Sequence, residues 1–306
     1  MGARNDFTSM TSPPTLFHVD VFATGSLTGN GLAVFLNAEH WSTSAMQRLT
    51  QELRQFESIF LSAISPSGAV ARVFTVEEEL PFAGHPVLGA AAVLHRTQAP
   101  LAESCSWALS LPHGNIPVTT IKLGTHYLCE MNQGKPILGA SIPDTALAPI
   151  LARLGLHATD VVSGMDAQVI STGLPYLIVP VSPAALARAK INGTDLEAQL
   201  ETLGAKFILV LAIDGREMRT WDNLGQVEDV ATGSAAGPAA AYLLSRGLAS
   251  SKLPIELAQG QFTGRPSKIT VVQDHDQNLL VRGEVWPVSH GMLDVDPLTL
   301  GGHGAV

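Results

Sequence analysis

Between Pro81 and Leu94 the chain reads Pro-Phe-Ala-Gly-His-Pro-Val-Leu-Gly-Ala-Ala-Ala-Val-Leu, and from Pro86 onward every position is apolar. An α-helix with no polar face has to be surrounded by protein, so this run predicts a core helix. Gly84-His85-Pro86 forms its entry: a flexible glycine, a residue able to cap, and a proline at the first helical position, where the missing N–H costs nothing. A weaker copy follows as Thr232-Gly-Ser-Ala-Ala-Gly-Pro-Ala-Ala-Ala-Tyr-Leu243, and a shift of 149 residues superposes Gly84 on Gly233, His85 on Ser234 and Leu94 on Leu243. A second pair, Thr28-Gly29-Asn-Gly-Leu-Ala-Val-Phe35 and Thr172-Gly173-Leu-Pro-Tyr-Leu-Ile-Val179, matches at a shift of 144, each reading as a turn followed by a buried strand. Internal repetition of this kind predicts two similar halves, each wrapping strands around a central helix, with the two helix starts facing one cleft.

The rest of the pattern fills in around these elements. Residues to Pro14 are polar and read as a disordered segment 1–14. Alternation predicts strands at Leu16–Ala23, Leu32–Leu36, Phe56–Leu61, Ala69–Thr75, Ser106–Leu111, Ile116–Ile121 and His126–Met131. Ser44 with Gln47 resembles a capping box opening a helix to about Gln55. Asn132–Pro143, rich in Gly and Pro, reads as the crossover, which sets the halves at 15–138 and 139–306, with the final strand free to pair with the first half. Beyond it, Thr145–Leu156 and Pro183–Leu203 read as helices, and Val169–Val181, Phe207–Ile213 and Met218–Trp221 as strand segments. Gly247 is placed to end the second core helix as a left-handed cap. Strands near Ile255–Gln259, Lys268–Val272, Leu279–Gly283 and Trp286–His290 complete an α+β chain, and Leu298–Val306 reads as a tail.

Composition narrows the function. At 306 residues, 46% hydrophobic and 15% charged, the chain suits a compact globule with two cores. A net charge of −9 argues against nucleic acid, which needs a basic surface, while leaving room for a small anionic substrate at a locally positive site. The longest apolar runs are too short to span a bilayer, and Met1–Pro14 lacks the apolar core of a signal peptide. With Cys105 and Cys129 alone, a disulfide framework is not expected and a cytoplasmic location is the default.

Chemistry is expected where the halves meet. Helix starts leave N–H groups unbonded and carry partial positive charge, so Gly84-His85 and Gly233-Ser234 are candidate contacts for a carboxylate. Glu57, sharing a strand face with Ile59 and Leu61, is an acid in an apolar setting; burial raises a carboxyl's pKa and makes it a proton shuttle. The alternative places Glu57 at a strand edge in water. His85 reads either as a catalytic group or as a helix-capping histidine, and Asp229 as a partner of a substrate amine, an orienter of His85, or a turn residue. Glu77-Glu78-Glu79 reads as a solvated loop, and the remaining histidines show no metal-like spacing, so no metal is expected.

Glu57-Ser58-Ile-Phe60, Phe82-Ala-Gly-His-Pro-Val-Leu-Gly89, Ser171-Thr-Gly-Leu-Pro175, Glu228-Asp229-Val-Ala-Thr-Gly-Ser-Ala235 and Gly260-Gln-Phe-Thr-Gly-Arg-Pro-Ser267 resemble, in order, the motifs of the PhzF-like family. Gly29-Asn30-Gly31 is similar to its amino-terminal glycine turn. The resemblance implies the diaminopimelate-epimerase fold, with two pseudo-symmetric barrel-like halves around central helices, usually in a homodimer. It also implies isomerisation of a substrate such as 2,3-dihydro-3-hydroxyanthranilate by a proton shift with no cofactor. The family's catalytic glutamate falls on Glu57, its histidine on His85, and its second-motif aspartate and serine on Asp229 and Ser234; Gly84, Gly173 and Gly233 match its substrate-enclosing turns. Departures are Val230 and Gly31 where the family commonly has proline, and Pro238 where the second core helix is already under way. The amino-acid racemases of the same fold use two opposed cysteines at the helix starts, and this chain has none there. Epimerisation with a second non-cysteine base, and a silent ligand-binding protein, remain as alternatives.

Overall fold

The computed structural model describes residues 14–112, 114–193 and 195–300. The segment expected to be disordered lies outside these residues apart from Pro14, as does the end of the expected tail. Eight strands, Thr15–Val21, Asn30–Leu36, Glu57–Ser65, Gly68–Thr75, Ser104–Leu111, Gly114–Leu123, His126–Asn132 and Leu279–Met292, pair in that order, and the last closes onto the first. The resulting barrel encloses the first central helix, Gly84–Gln98, in which every residue from Gly84 to His95 is buried. Leu279–Met292 also starts the second run of strands, Ser267–Gln273, Ile255–Gln259, Glu217–Arg219, Phe207–Ala212, Pro175–Val181, Gln168–Ser171 and Ile137–Ser141, which packs around the second central helix, Gly233–Ser245. One long strand therefore belongs to both halves.

Several local expectations change. Helix Thr43–Leu53 is capped by Ser42, whose hydroxyl accepts from the Ala45 N–H at 3.1 Å; Gln47 instead donates to the Thr75 carbonyl at 2.7 Å and ties the helix to the barrel wall. The expected Pro183–Leu203 helix is two, Pro183–Arg188 and Leu196–Thr202, because Gly193 takes a left-handed φ of +93° between them. Leu279–Met292 is a single strand, not two. The crossover holds a strand of its own, Ile137–Ser141, paired with Gln168–Ser171. Pro86 is the third residue of the first central helix, still within the turn whose N–H groups have no helical acceptor, and His85 does not cap it. Pro238 is accommodated inside the second central helix, which starts at Gly233. That helix ends in a Schellman motif, with Gly247 at φ +70° and the N–H groups of Gly247 and Leu248 bonded to the carbonyls of Leu244 and Leu243.

The repeat is visible in the strand registers. In the first half Leu32 lies opposite Glu57 in a parallel pair; in the second, Tyr176 lies opposite Phe207. Phe60 faces Arg72 in one hairpin and Val210 faces Arg219 in the other. Both arginines close a two-pronged ion pair: Arg72 Nε and Nη2 on Glu79 at 2.7 and 2.5 Å, Arg219 Nε and Nη2 on Glu228 at 2.8 and 2.6 Å. Each glutamate lies five residues ahead of a central helix, at Gly84 and Gly233, so each pair pins the entering chain. Glu77 and Glu78 are exposed as expected of a solvated loop, but Glu79 is half-buried and carries this structural bond.

The halves are packed through Phe22, a fully buried residue with a left-handed φ of 60°. A methyl group on Gly283 of the shared strand would lie 2.2 Å from its Cδ1 and 2.7 Å from its Cε1. A planar ring on an already constrained backbone has little freedom to retreat. Gly283→Ala should therefore lower stability by about 1–3 kcal/mol, read as a lower denaturant midpoint with an unchanged slope.

Candidate active site

The two central helices meet start to start. A Cβ on Gly84 would lie 3.0 Å from Ser234 N and 3.1 Å from the Gly233 carbonyl carbon, so that position is glycine because backbone approaches backbone, whereas a Cβ on Gly233 would meet the Phe22 ring, 2.9 Å from its Cζ. Around this contact the structure gathers Glu57 and His85 from the first half and Asp229 from the second, exposed by 6, 3 and 5%. Ser234 stands at the second position of its helix, as His85 does in the first, and its hydroxyl bonds the Tyr176 hydroxyl at 2.7 Å. Gly173 is not brought into the cluster: it forms an exposed turn at φ +128°. Its neighbour Thr172 donates to Gln133 Oε1, and Gln133 Nε2 donates to the Gly233 carbonyl at 2.8 Å.

Glu57 begins its strand with its carboxyl inside the barrel mouth, 3.3 Å from His85 Nδ1. The distance is that of an ion pair, but burial holds the His85 imidazole down to about 3, and burial followed by the nearby Asp229 pushes the Glu57 carboxyl well up. With the acid reluctant to ionise and the imidazole reluctant to protonate, burial works against a charged pair, and the imidazole is neutral. His85 Nε2 is buried and has no hydrogen-bond partner among the described residues. His95, in the same helix, is the contrast: Nδ1 bonds Thr120 Oγ1 at 2.8 Å and Nε2 bonds the Ala102 carbonyl at 3.0 Å. His95 is fully satisfied, whereas His85 keeps one nitrogen for something the protein does not supply.

Asp229 is held from several sides. Oδ1 accepts from Asn30 Nδ2 at 2.7 Å and Oδ2 from Thr232 Oγ1 at 2.5 Å. Gln259 locks the loop, accepting the Thr232 N–H at 2.9 Å and donating to the Asp229 carbonyl at 2.8 Å. Burial raises the carboxyl, and the bonds from Thr232, Asn30 and the backbone of Ala231 and Val230 act against it. Val230 thus supplies an N–H that a proline there would lack. Gly31 leaves room for Gln55, whose Oε1 would lie 2.6 Å from a Cβ at that position. Sequence reasoning placed Asn30 only in a turn and overlooked Thr232, Gln259, Gln133 and Tyr176. The available signal was polar residues adjoining apolar runs, with no spacing rule to connect them. Cys105 and Cys129 stand in barrel strands, not at the helix starts.

The sequence model of PhzC-PhzF, described as phenazine biosynthesis-like protein, matches residues 19–291. The chain belongs to this family. A trans-2,3-dihydro-3-hydroxyanthranilate isomerase of Pseudomonas fluorescens is 32% identical to it over 87% of this chain and 93% of the relative. Among solved structures, a predicted epimerase of Pseudomonas aeruginosa is 46% identical, covers 93% of this chain and 100% of its own, and superposes with a TM-score of 0.88. A hydroxyproline epimerase of Agrobacterium vitis, 12% identical and covering 94% of both chains, superposes at 0.57, which is a likeness of fold. This PhzC-PhzF chain thus has the α+β, diaminopimelate-epimerase-like architecture.

A buried acid that binds its proton more tightly in the folded state costs stability once the unfolded chain has ionised. Below the ordinary carboxyl range, near 4.5, Glu57 is protonated in both states and contributes nothing. Above it, wild-type stability falls until the pH passes the raised folded value. Glu57→Gln removes that cost, so urea titration should find the variant more stable than wild type by about 1–3 kcal/mol at pH 8 and equal to it at pH 4.

Proposed function

We propose that this PhzC-PhzF protein is a cofactor-independent isomerase. Glu57 removes a proton from an acidified carbon of a small carboxylate substrate and redelivers it to another carbon on the same face. The isomerase class rests on relatives so named; the acid–base assignment rests on the geometry. The observation that carries it is the lopsided pair of registers. The position equivalent to Glu57 in the second half is Phe207, which cannot move a proton, so one carboxyl serves as base and then as acid. A two-base mechanism would have to draw its second base from His85 or Asp229 instead.

The other groups take supporting roles. Neutral His85 offers Nε2 to a polar substrate atom while Nδ1 faces Glu57. Asp229, held by Asn30 and Thr232, is the counter-charge for a substrate amine. The helix starts at Gly84-His85 and Gly233-Ser234 present N–H groups without intrahelical acceptors to a carboxylate. Burial of the whole cluster excludes water and keeps Glu57's proton for return to the substrate.

Proton NMR in D₂O of small unsaturated and amino carboxylates, 2,3-dihydro-3-hydroxyanthranilate included, tests this reading. Wild type should move a double bond and place label at a new carbon, with Glu57→Gln slower by about 10²–10⁴-fold. Label returned to the original stereocentre with inversion would make the protein an epimerase, and equal exchange by both proteins would remove Glu57 as the base. Gly84→Ala should also slow the reaction at least tenfold by forcing the helix starts apart, and its effect should fall on kcat more than on KM.

A further inference from the structure

We propose that Asn30 is a positioning residue of this site: it donates both hydrogens of its side-chain amide across the junction, to Asp229 Oδ1 and to the Ala231 carbonyl, and thereby fixes the orientation of Asp229 toward the substrate. The inference rests on the acid–base reading above and names a residue that reading does not contain.

The geometry supports it in three ways. Asn30 is buried and its Nδ2 lies 2.7 Å from Asp229 Oδ1 and 3.0 Å from the Ala231 carbonyl. An amide nitrogen has two hydrogens, so the longer 3.4 Å approach to His85 Nδ1 goes unserved and that nitrogen is left to Glu57. The turn that aims Asn30 is itself braced: Gly29 adopts φ +77°, where a Cβ would lie 2.6 Å from the Val21 carbonyl oxygen. Arg265 of the second half donates Nε to the Gly29 carbonyl and Nη2 to buried Asp20, both at 2.7 Å. Finally, the turn does not need an asparagine for its own sake. The equivalent turn in the second half, Thr172-Gly173, carries Leu174 at the matching place and still leads into a paired strand.

The titratable groups acting on Asp229 are Glu57 from its strand and the Tyr176 hydroxyl from strand Pro175–Val181, with His85 against Glu57 and Asn30 and the Glu228–Arg219 pair one residue before it. None of these is a free cation that would take over Asn30's part. Removing the amide takes away a bond that favours the charged carboxyl, so the titration of Asp229 must move up.

The test is a ¹³C NMR titration of aspartate carboxyl carbons, with the Asp229 signal assigned by its loss in Asp229→Asn. In Asn30→Ala and Asn30→Ser the Asp229 midpoint should rise by about one to two pH units, the equivalent of one charge-assisted hydrogen bond. Leu94→Ala, which loosens the barrel core far along the helix, should leave the midpoint where it is. An unmoved midpoint in the Asn30 variants overturns the proposal. A moved midpoint in a protein whose wild type exchanges no substrate proton upholds it and sinks the acid–base reading instead. Should neither variant fold, wild type decides: both Asn30 amide protons should be protected from solvent exchange, and rapid exchange of either overturns the proposal.

Discussion

Two helices meeting start to start are an electrostatic problem that the rest of the molecule answers. Each start carries partial positive charge from unbonded N–H groups, and Gly84 and Gly233 bring these ends into van der Waals contact without a water layer between them. Such an arrangement favours anionic groups. Asp229, four residues before the second helix, is the carboxyl the protein places there, with donors from both halves committed to it. The same field opposes protonation of His85 in addition to the burial that already depresses it, so the imidazole works as a neutral hydrogen-bonding group.

The scaffold that holds this contact is duplicated; the chemistry is not. Arg72–Glu79 and Arg219–Glu228 occupy equivalent places, as do the parallel pairs that carry Glu57 and Phe207 and the second helical positions of His85 and Ser234. Where the second half puts Asp229 after its anchoring glutamate, the first puts Leu80. Glu57 and His85 come from one half, and Asp229 from the other. Neither half contains the whole cluster, and the shared strand Leu279–Met292 keeps the two in register.

This division explains which features were legible in the sequence. The all-apolar run after Pro86 and its copy declared the core helices, because complete burial leaves an unmistakable pattern. Glu57 stood out as an acid among Phe56, Ile59 and Leu61. The Arg–Glu pairs were hidden, since partners seven and nine residues apart share no common spacing and meet only once each chain has turned back. Asn30 was hidden for a different reason: between two glycines it looks like a turn residue, and only the folded chain shows its amide crossing to Asp229 and Ala231. Strand Ile137–Ser141 was masked by the Gly and Pro around it, and the split of Pro183–Leu203 turned on the conformation of Gly193, which no periodicity reports.

The contrast between His85 and His95 shows why the site holds its strain. Both are buried in one helix, and burial alone would make each a liability. His95 is relieved completely by Thr120 and the Ala102 carbonyl, and Trp107 donates to the same Thr120 hydroxyl at 3.0 Å, so the arrangement is closed and inert. His85 has Nε2 bare and Nδ1 against a carboxyl that also resists ionisation. A fold that satisfies one histidine so fully had the means to satisfy the other. An unpaired Nε2 beside a carboxyl that resists ionisation leaves bonding capacity that the described residues do not use, and the shorter Asn30–Asp229 bond draws the Asn30 amide away from Nδ1.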